Sequence, residues 1–194
     1  MAGLHLMPRA SVHVHAADVD AARSWEGLSR HYGYTAEVLA GLKTKIEAQF
    51  HYRPRPDAIA YADGATWDLG GVRVRAVHLP GHTAGHCALL VEPHGIAFIG
   101  DIDLSSFGPY YGDATSSLRA FRQSLAAVRD IPARVWVTSH HKGVVTERET
   151  FLALLDAFGA RLDAREGAIL DFLRARPATL ETLVAHRFVY PRHA

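Results

Sequence analysis

The sequence holds a single cysteine, Cys87, so no disulfide can form within the chain, and a reducing cytoplasm is the compartment that such usage suits. No apolar run approaches the roughly 20 residues that span a bilayer, which argues against a membrane protein. The first ten residues lack the charged start and apolar stretch of a secretory leader. A formal net charge of +1 gives no electrostatic reason to expect nucleic acid as a partner. What is present is 194 residues, 48% hydrophobic and 21% charged, a composition that suits one globular domain with a sizeable core. The outlier is histidine, with thirteen residues, an excess that suits metal binding. Lone histidines such as His5, His31, His94 and His193 read as surface or capping residues.

The chemistry concentrates in one stretch. An alternating run, Val72 to Val77, leads into His78-Leu79-Pro80-Gly81-His82-Thr83-Ala84-Gly85-His86. A β-rich run, Cys87 to Glu92, passes through Pro93-His94-Gly95 into Ile96 to Ile99, which stops on Gly100-Asp101. A further apolar strand, Val135-Trp136-Val137, stops on Thr138-Ser139-His140-His141-Lys142-Gly143. Three strand ends thus present His82, Asp101 and His140. Imidazole and carboxylate are donors that suit zinc or iron, and short loops on rigid strands are where such donors are held.

Pro80-Gly81-His82-Thr83-x-Gly85-His86, then Gly100-Asp101, then Ser139-His140-His141-x-Gly143 resemble the second half of the metallo-β-lactamase superfamily, and most of all its glyoxalase II-like branch. The resemblance implies an α/β fold, a four-layer αββα sandwich with its metal site at one edge of the two sheets, laid out over residues 1–160. It implies one metal held by His82, another by His140 (His141 being the lesser claimant), and Asp101 bridging them, with zinc, or else iron, as the metal. It implies a hydrolase whose metal-activated water attacks a small ester, thioester or lactone. Cys87, following the loop into a strand, reads as a small core residue. His86 is expected to support the ligands, Asp103 to hydrogen-bond within its loop, and Tyr110 and Tyr111 to contact the small-molecule substrate.

The family's upstream motif, His-x-His-x-Asp-His, does not occur in this chain. The nearest candidate is His13-Val14-His15-Ala16-Ala17-Asp18, with the aspartate one residue late and Val19 in the place of the last histidine. Met1-Ala2-Gly3-Leu4 resembles the residues that follow the motif in the family. The expectation is therefore a chain that starts just downstream of it, binds metal weakly and has little or no activity alone, with no general base assigned. Apolar faces and sheet edges left unpaired on that reading favour a homodimer. Two other readings stand beside it: a non-catalytic binding or assembly module derived from the fold, and an iron-dependent dioxygenase acting on persulfides.

The rest of the chain reads as supporting elements. Ala10 to His15 alternates like a strand, and Asp20 to Arg30 reads as one helix. Thr35 caps another, with Val38, Leu42 and Ile46 along one face, and residues 31–56 occupy the place of a cover over the site. Asp63-Gly64, between Ile59-Ala60-Tyr61 and Trp67-Asp68-Leu69, reads as a hairpin turn. Ser116 or Ser117 caps a helix with Leu118, Phe121, Leu125 and Val128 as its core stripe. Thr146-Glu147-Arg148-Glu149 reads as a capping box opening a helix to about Phe158. From Arg161 the pattern changes to two short helices, over 165–173 and 179–185. Residues 161–194 thus form a tail resembling the start of a winged-helix module, expected to pack against protein.

Overall fold

A computed structural model describes residues 2–140 and 142–190. After a short 3-10 turn, Ala2–Leu6, the chain forms strand β1 (His13–His15) and helices α1 (Val19–Arg23), α2 (Trp25–Tyr32) and α3 (Ala36–Gln49). Strands β2 (Ile59–Tyr61), β3 (Thr66–Asp68), β4 (Arg73–His78), β5 (Cys87–Glu92) and β6 (Ile96–Phe98) follow. Helix α4 (Leu118–Arg129), strands β7 (Val135–Val137) and β8 (Val144–Val145), and helices α5 (Arg148–Ala175) and α6 (Leu180–His186) complete it. Strands β3 to β8 form one six-stranded sheet in sequence order, while β1 and β2 pair in parallel as a separate two-stranded sheet. The expected α/β architecture is thus present as two sheets with helices packed on them.

The main core lies between the large sheet and helices α4 and α5. Ala88, Leu90, Ala97 and Trp136 supply the sheet face, and Phe121, Val128, Phe151, Leu155 and Phe158 the helix faces. Trp136 stacks on Phe151 with ring centroids 4.3 Å apart and planes 6° from parallel. Small residues at 88 and 97 let the helices approach the sheet, and the large rings fill the remaining depth. A smaller core, built on Val12, Val19, Ala22 and Ala58, sits under the two-stranded sheet.

Sheet direction explains where the site forms. β4 and β6 both run antiparallel to β5, and β7 runs parallel to β6. The C-terminal ends of β4, β6 and β7 therefore emerge at one edge of the sheet. Those are the ends that carry His82, Asp101 and His140.

Several local expectations are corrected. The helix expected over 20–30 is two helices broken at Ser24, whose hydroxyl accepts the Gly27 N–H at 2.9 Å and caps α2. Thr35 caps α3, but of the stripe on that helix only Ile46 is buried, and Val38 is 53% exposed. The Asp63-Gly64 hairpin does not form: β2 pairs with β1 and β3 with β4, so the turn crosses from one sheet to the other. Ser117 caps α4, accepting the Ala120 N–H at 3.2 Å, but Leu118 in the first turn of the expected stripe stays on the surface. The capping box at Thr146 is absent, because the helix starts one residue later with Glu147 at its N-cap and no side-chain cap bond. No break occurs near Arg161. One helix of 28 residues runs through it, with Phe151, Leu155, Phe158, Leu162 and Arg165 buried along one side.

Candidate active site

The loop after β4 is held from every direction. Ser124 on α4 donates its hydroxyl to the Pro80 carbonyl at 2.7 Å, the Ser117 N–H donates to Gly81 O at 3.0 Å, and the Ser116 hydroxyl donates to His82 O at 2.7 Å. A Cβ on Gly81 would fall 2.4 Å from the Phe121 Cα, so only glycine lets this loop lie on α4. On the far side, Asp18 accepts the Gly85 N–H at 2.9 Å and the Thr83 hydroxyl. The ring of His82 is held in turn by its Nδ1, which donates to the Tyr110 carbonyl at 3.2 Å and leaves Nε2 facing the pocket donors.

The ends of β6 and β7 lie side by side. Ile99 N–H donates to Val137 O at 2.8 Å, and Ser139 N–H donates to Gly100 O at 3.0 Å. Asp101 and His140 are thereby adjacent: His140 Nε2 lies 3.0 Å from Asp101 Oδ1, and His82 Nε2 lies 3.7 Å from Asp101 Oδ2. The aspartate offers one oxygen to each imidazole. The three side chains open onto a cavity of about 270 Å³ that Asp103, Phe107 and Tyr110 also line.

His86 serves the site from beneath. Its Nδ1 donates to Leu79 O at 2.9 Å and its Nε2 accepts the Asp101 N–H at 3.0 Å, which fixes the neutral tautomer protonated on Nδ1. Burial pushes its pKa below the ordinary histidine value, which favours that neutral form. Gly100, at φ 55°, sits against this ring, and a Cβ there would come within 2.6 Å of Nε2. With both nitrogens spent on main chain, His86 has no lone pair left for an ion.

The other named residues divide. Asp103 lines the cavity and accepts the Ser105 N–H at 3.1 Å. Tyr110 lines it too, and its hydroxyl donates to Asp113 at 3.1 Å beside Tyr34, which reaches the same carboxylate at 2.7 Å. Burial, and then the hydrogen bond to Asp113, push the Tyr34 phenol up to about 12, while the Tyr110 hydrogen bond pulls the other way; the Tyr110 phenol is raised as well. Tyr111 is turned instead against the main core and the Arg165 guanidinium, so it does not line the cavity. His141 lies outside the described residues. His13 and His15 belong elsewhere: His15 stacks on His78 at 4.2 Å, and His13 accepts the Trp67 indole N–H at 3.4 Å.

Sequence reasoning gave Arg165 no role and left open which side chains of the 31–56 segment reach the site. Arg165, 6% exposed, donates from Nη1 to Pro109 O at 2.7 Å and from Nη2 to Phe107 O at 2.6 Å, tying α5 to the cavity loop. Tyr34, from the segment expected to cover the site, does reach the cavity loop through Asp113 and Tyr110, whereas Phe50 and Tyr52 line a separate cleft beside α3.

The donor set suits a metal in chemistry: two imidazoles and a carboxylate around one cavity. Among the described residues, no group of three or more His, Cys, Asp or Glu side chains is arranged to hold a metal ion. No helix among them is long and apolar enough to cross a membrane.

No family model matches the chain. It is 30% identical over 100 residues to an atrochrysone carboxyl ACP thioesterase of Aspergillus fumigatus, a match spanning 52% of this chain and 30% of that protein. It is 28% identical over 131 residues to thioesterase pkgB of Emericella nidulans, spanning 68% of this chain and 37% of that one. The chain thus matches only about a third of the length of these relatives. Among solved structures, a metallo-β-lactamase family protein of Thermus thermophilus superposes with a TM-score of 0.58 at 25% identity, covering 84% of this chain and 57% of that one. A class B3 di-zinc metallo-β-lactamase from an Alaskan soil metagenome gives 0.55 at 17% identity, covering 84% and 66%. The chain has the metallo-β-lactamase fold. Within that fold, its sequence resembles proteins named as thioesterases.

Proposed function

We propose that the chain carries the His82–Asp101–His140 side of a hydrolase pocket that acts on a small thioester, ester or lactone. The observation that supports this most is the convergence of those three side chains, from three separate strand ends, on one cavity. Relatives named as thioesterases favour the thioester within that group. Asp101, with one oxygen toward each imidazole, is the residue on which the arrangement turns. Zinc or iron is the metal the donors suit, and a di-zinc and a di-iron-bound protein share the fold. Shared between two metals, the three donors would leave each short of the three or four protein ligands such sites use, so tight binding would draw on further ligands.

The test is metal content and turnover together. Protein from zinc- and iron-supplemented culture is assayed for bound metal and for hydrolysis of a panel of small acyl thioesters and lactones, beside Asp101→Ala. Weak metal binding and hydrolysis, both lost in Asp101→Ala, support the reading. Hydrolysis that survives the substitution sinks it, and oxygen consumption with a persulfide substrate replaces it with the dioxygenase.

A further inference from the structure

Asp18 lies well away in sequence from the loop after β4, yet its carboxylate accepts two hydrogen bonds from that loop. Oδ1 accepts the Gly85 N–H at 2.9 Å and Oδ2 accepts the Thr83 hydroxyl, so a single carboxylate spans the turn that follows His82. The contact is close on both sides. A Cβ on Gly85 would lie 2.7 Å from Asp18 Cγ and 3.0 Å from His15 Nδ1. Asp18 is itself fixed: it ends the β1–α1 turn, its N–H donates to His15 O at 2.8 Å, and the His31 ring stands 3.7 Å from Oδ1. The opposite side of the loop is held by neutral groups, namely the Ser116 and Ser124 hydroxyls and the Ser117 N–H. The carboxylate thus links the turn to the small sheet through two hydrogen bonds, opposite the contacts to α4.

We propose that Asp18 is a positioning residue for His82: its carboxylate pulls the Thr83–Gly85 turn toward the small sheet and so fixes the direction in which the His82 imidazole faces the cavity. The inference rests on His82 being a site residue, but not on what the site turns over. It also gives the small sheet a role, because β1 and its following turn supply the anchor on which the larger sheet's loop is aligned.

The test uses the full chain in three readouts: amide hydrogen exchange, imidazole nitrogen NMR signals and thermal melting. Asp18→Ala is expected to raise exchange of the Gly85 amide by about tenfold or more, since a charge-assisted hydrogen bond is lost. Protection in β5 and β7 is expected to hold. The ring signals of His82 shift while those of His140 stay in place. Thr83→Val reproduces the His82 shift, and Thr83→Ser, which keeps the hydroxyl, restores the wild-type signals. Unchanged Gly85 protection in Asp18→Ala overturns the proposal. So does a loss spread evenly over the large sheet with a lowered melting temperature, or a Thr83→Ser that behaves like Thr83→Val. If Asp18→Ala does not fold, the Thr83 pair decides. Hydrolysis that survives Asp101→Ala refutes the hydrolase reading and leaves these readouts standing.

Discussion

His86 and Asp101 are joined through the main chain: the imidazole accepts the aspartate's own N–H at 3.0 Å while donating to Leu79 O at 2.9 Å. The ring thus ties the end of β4 to the end of β6 across β5. His86→Ala orphans a half-buried N–H and a buried carbonyl, and is expected to destabilise the protein by about 2 kcal/mol or more in urea unfolding. A variant as stable as wild type rules this tie out.

Gly100→Ala attacks the same tie from the other side. It forces a side chain into φ 55° and against the His86 ring. A loss of about 1–3 kcal/mol is expected from backbone strain. Gly64→Ala, also at positive φ but with open space around it, is expected to lose less, and equal losses contradict the crowding argument.

Trp136→Ala removes a fully buried ring stacked on Phe151 and is expected to cost about 3–5 kcal/mol. Trp136→Phe loses far less, because the buried indole N–H makes no hydrogen bond among the described residues. By contrast Arg122→Ala, which breaks exposed contacts to Asp163 and Glu166, is expected to change stability by less than about 1 kcal/mol. Chemical denaturation of the three variants side by side checks the order.

Alkaline pH has a defined effect through Tyr34. Its phenol holds its proton to about 12 in the folded chain, against 10 when unfolded. Above pH 10 the unfolded chain therefore binds fewer protons, so stability is full below 10 and falls as pH rises toward 12. Phenolate absorbance should show a tyrosine ionising late, and Tyr34→Phe should lessen the stability slope between pH 10 and 12. A slope unchanged by that substitution refutes the assignment.

The strand ends and their loops were legible because the signals are local: glycine, proline and polar residues stop an apolar run within a few positions, as at Gly100-Asp101. Pairing was not. Asp63-Gly64 is good hairpin chemistry, but the partner of β2 is a strand far upstream, and nothing local reveals that Ile59 N–H donates to Val12 O. The long α5 was missed for a related reason. Its inner stripe continues through Arg165, a charged residue at a buried position, and its partners are the carbonyls of Phe107 and Pro109 on a distant loop. The cavity donors were readable from sequence, whereas the roles of the side chains that hold their loops were not: Asp18 reads as part of an incomplete motif and Ser116 as a helix cap, while Ser124 and Arg165 carry no signature of their own.

At 28 residues, α5 extends about 40 Å. Its first half is clamped against Trp136, and its Arg165 grips the loop that walls the cavity. A rod fixed at one end and hooked to a loop farther along behaves as a lever. A twist or a pull applied beyond residue 165, by a ligand, a neighbouring chain or an engineered fusion, would be delivered to Phe107 and Pro109 before it disturbed the sheet.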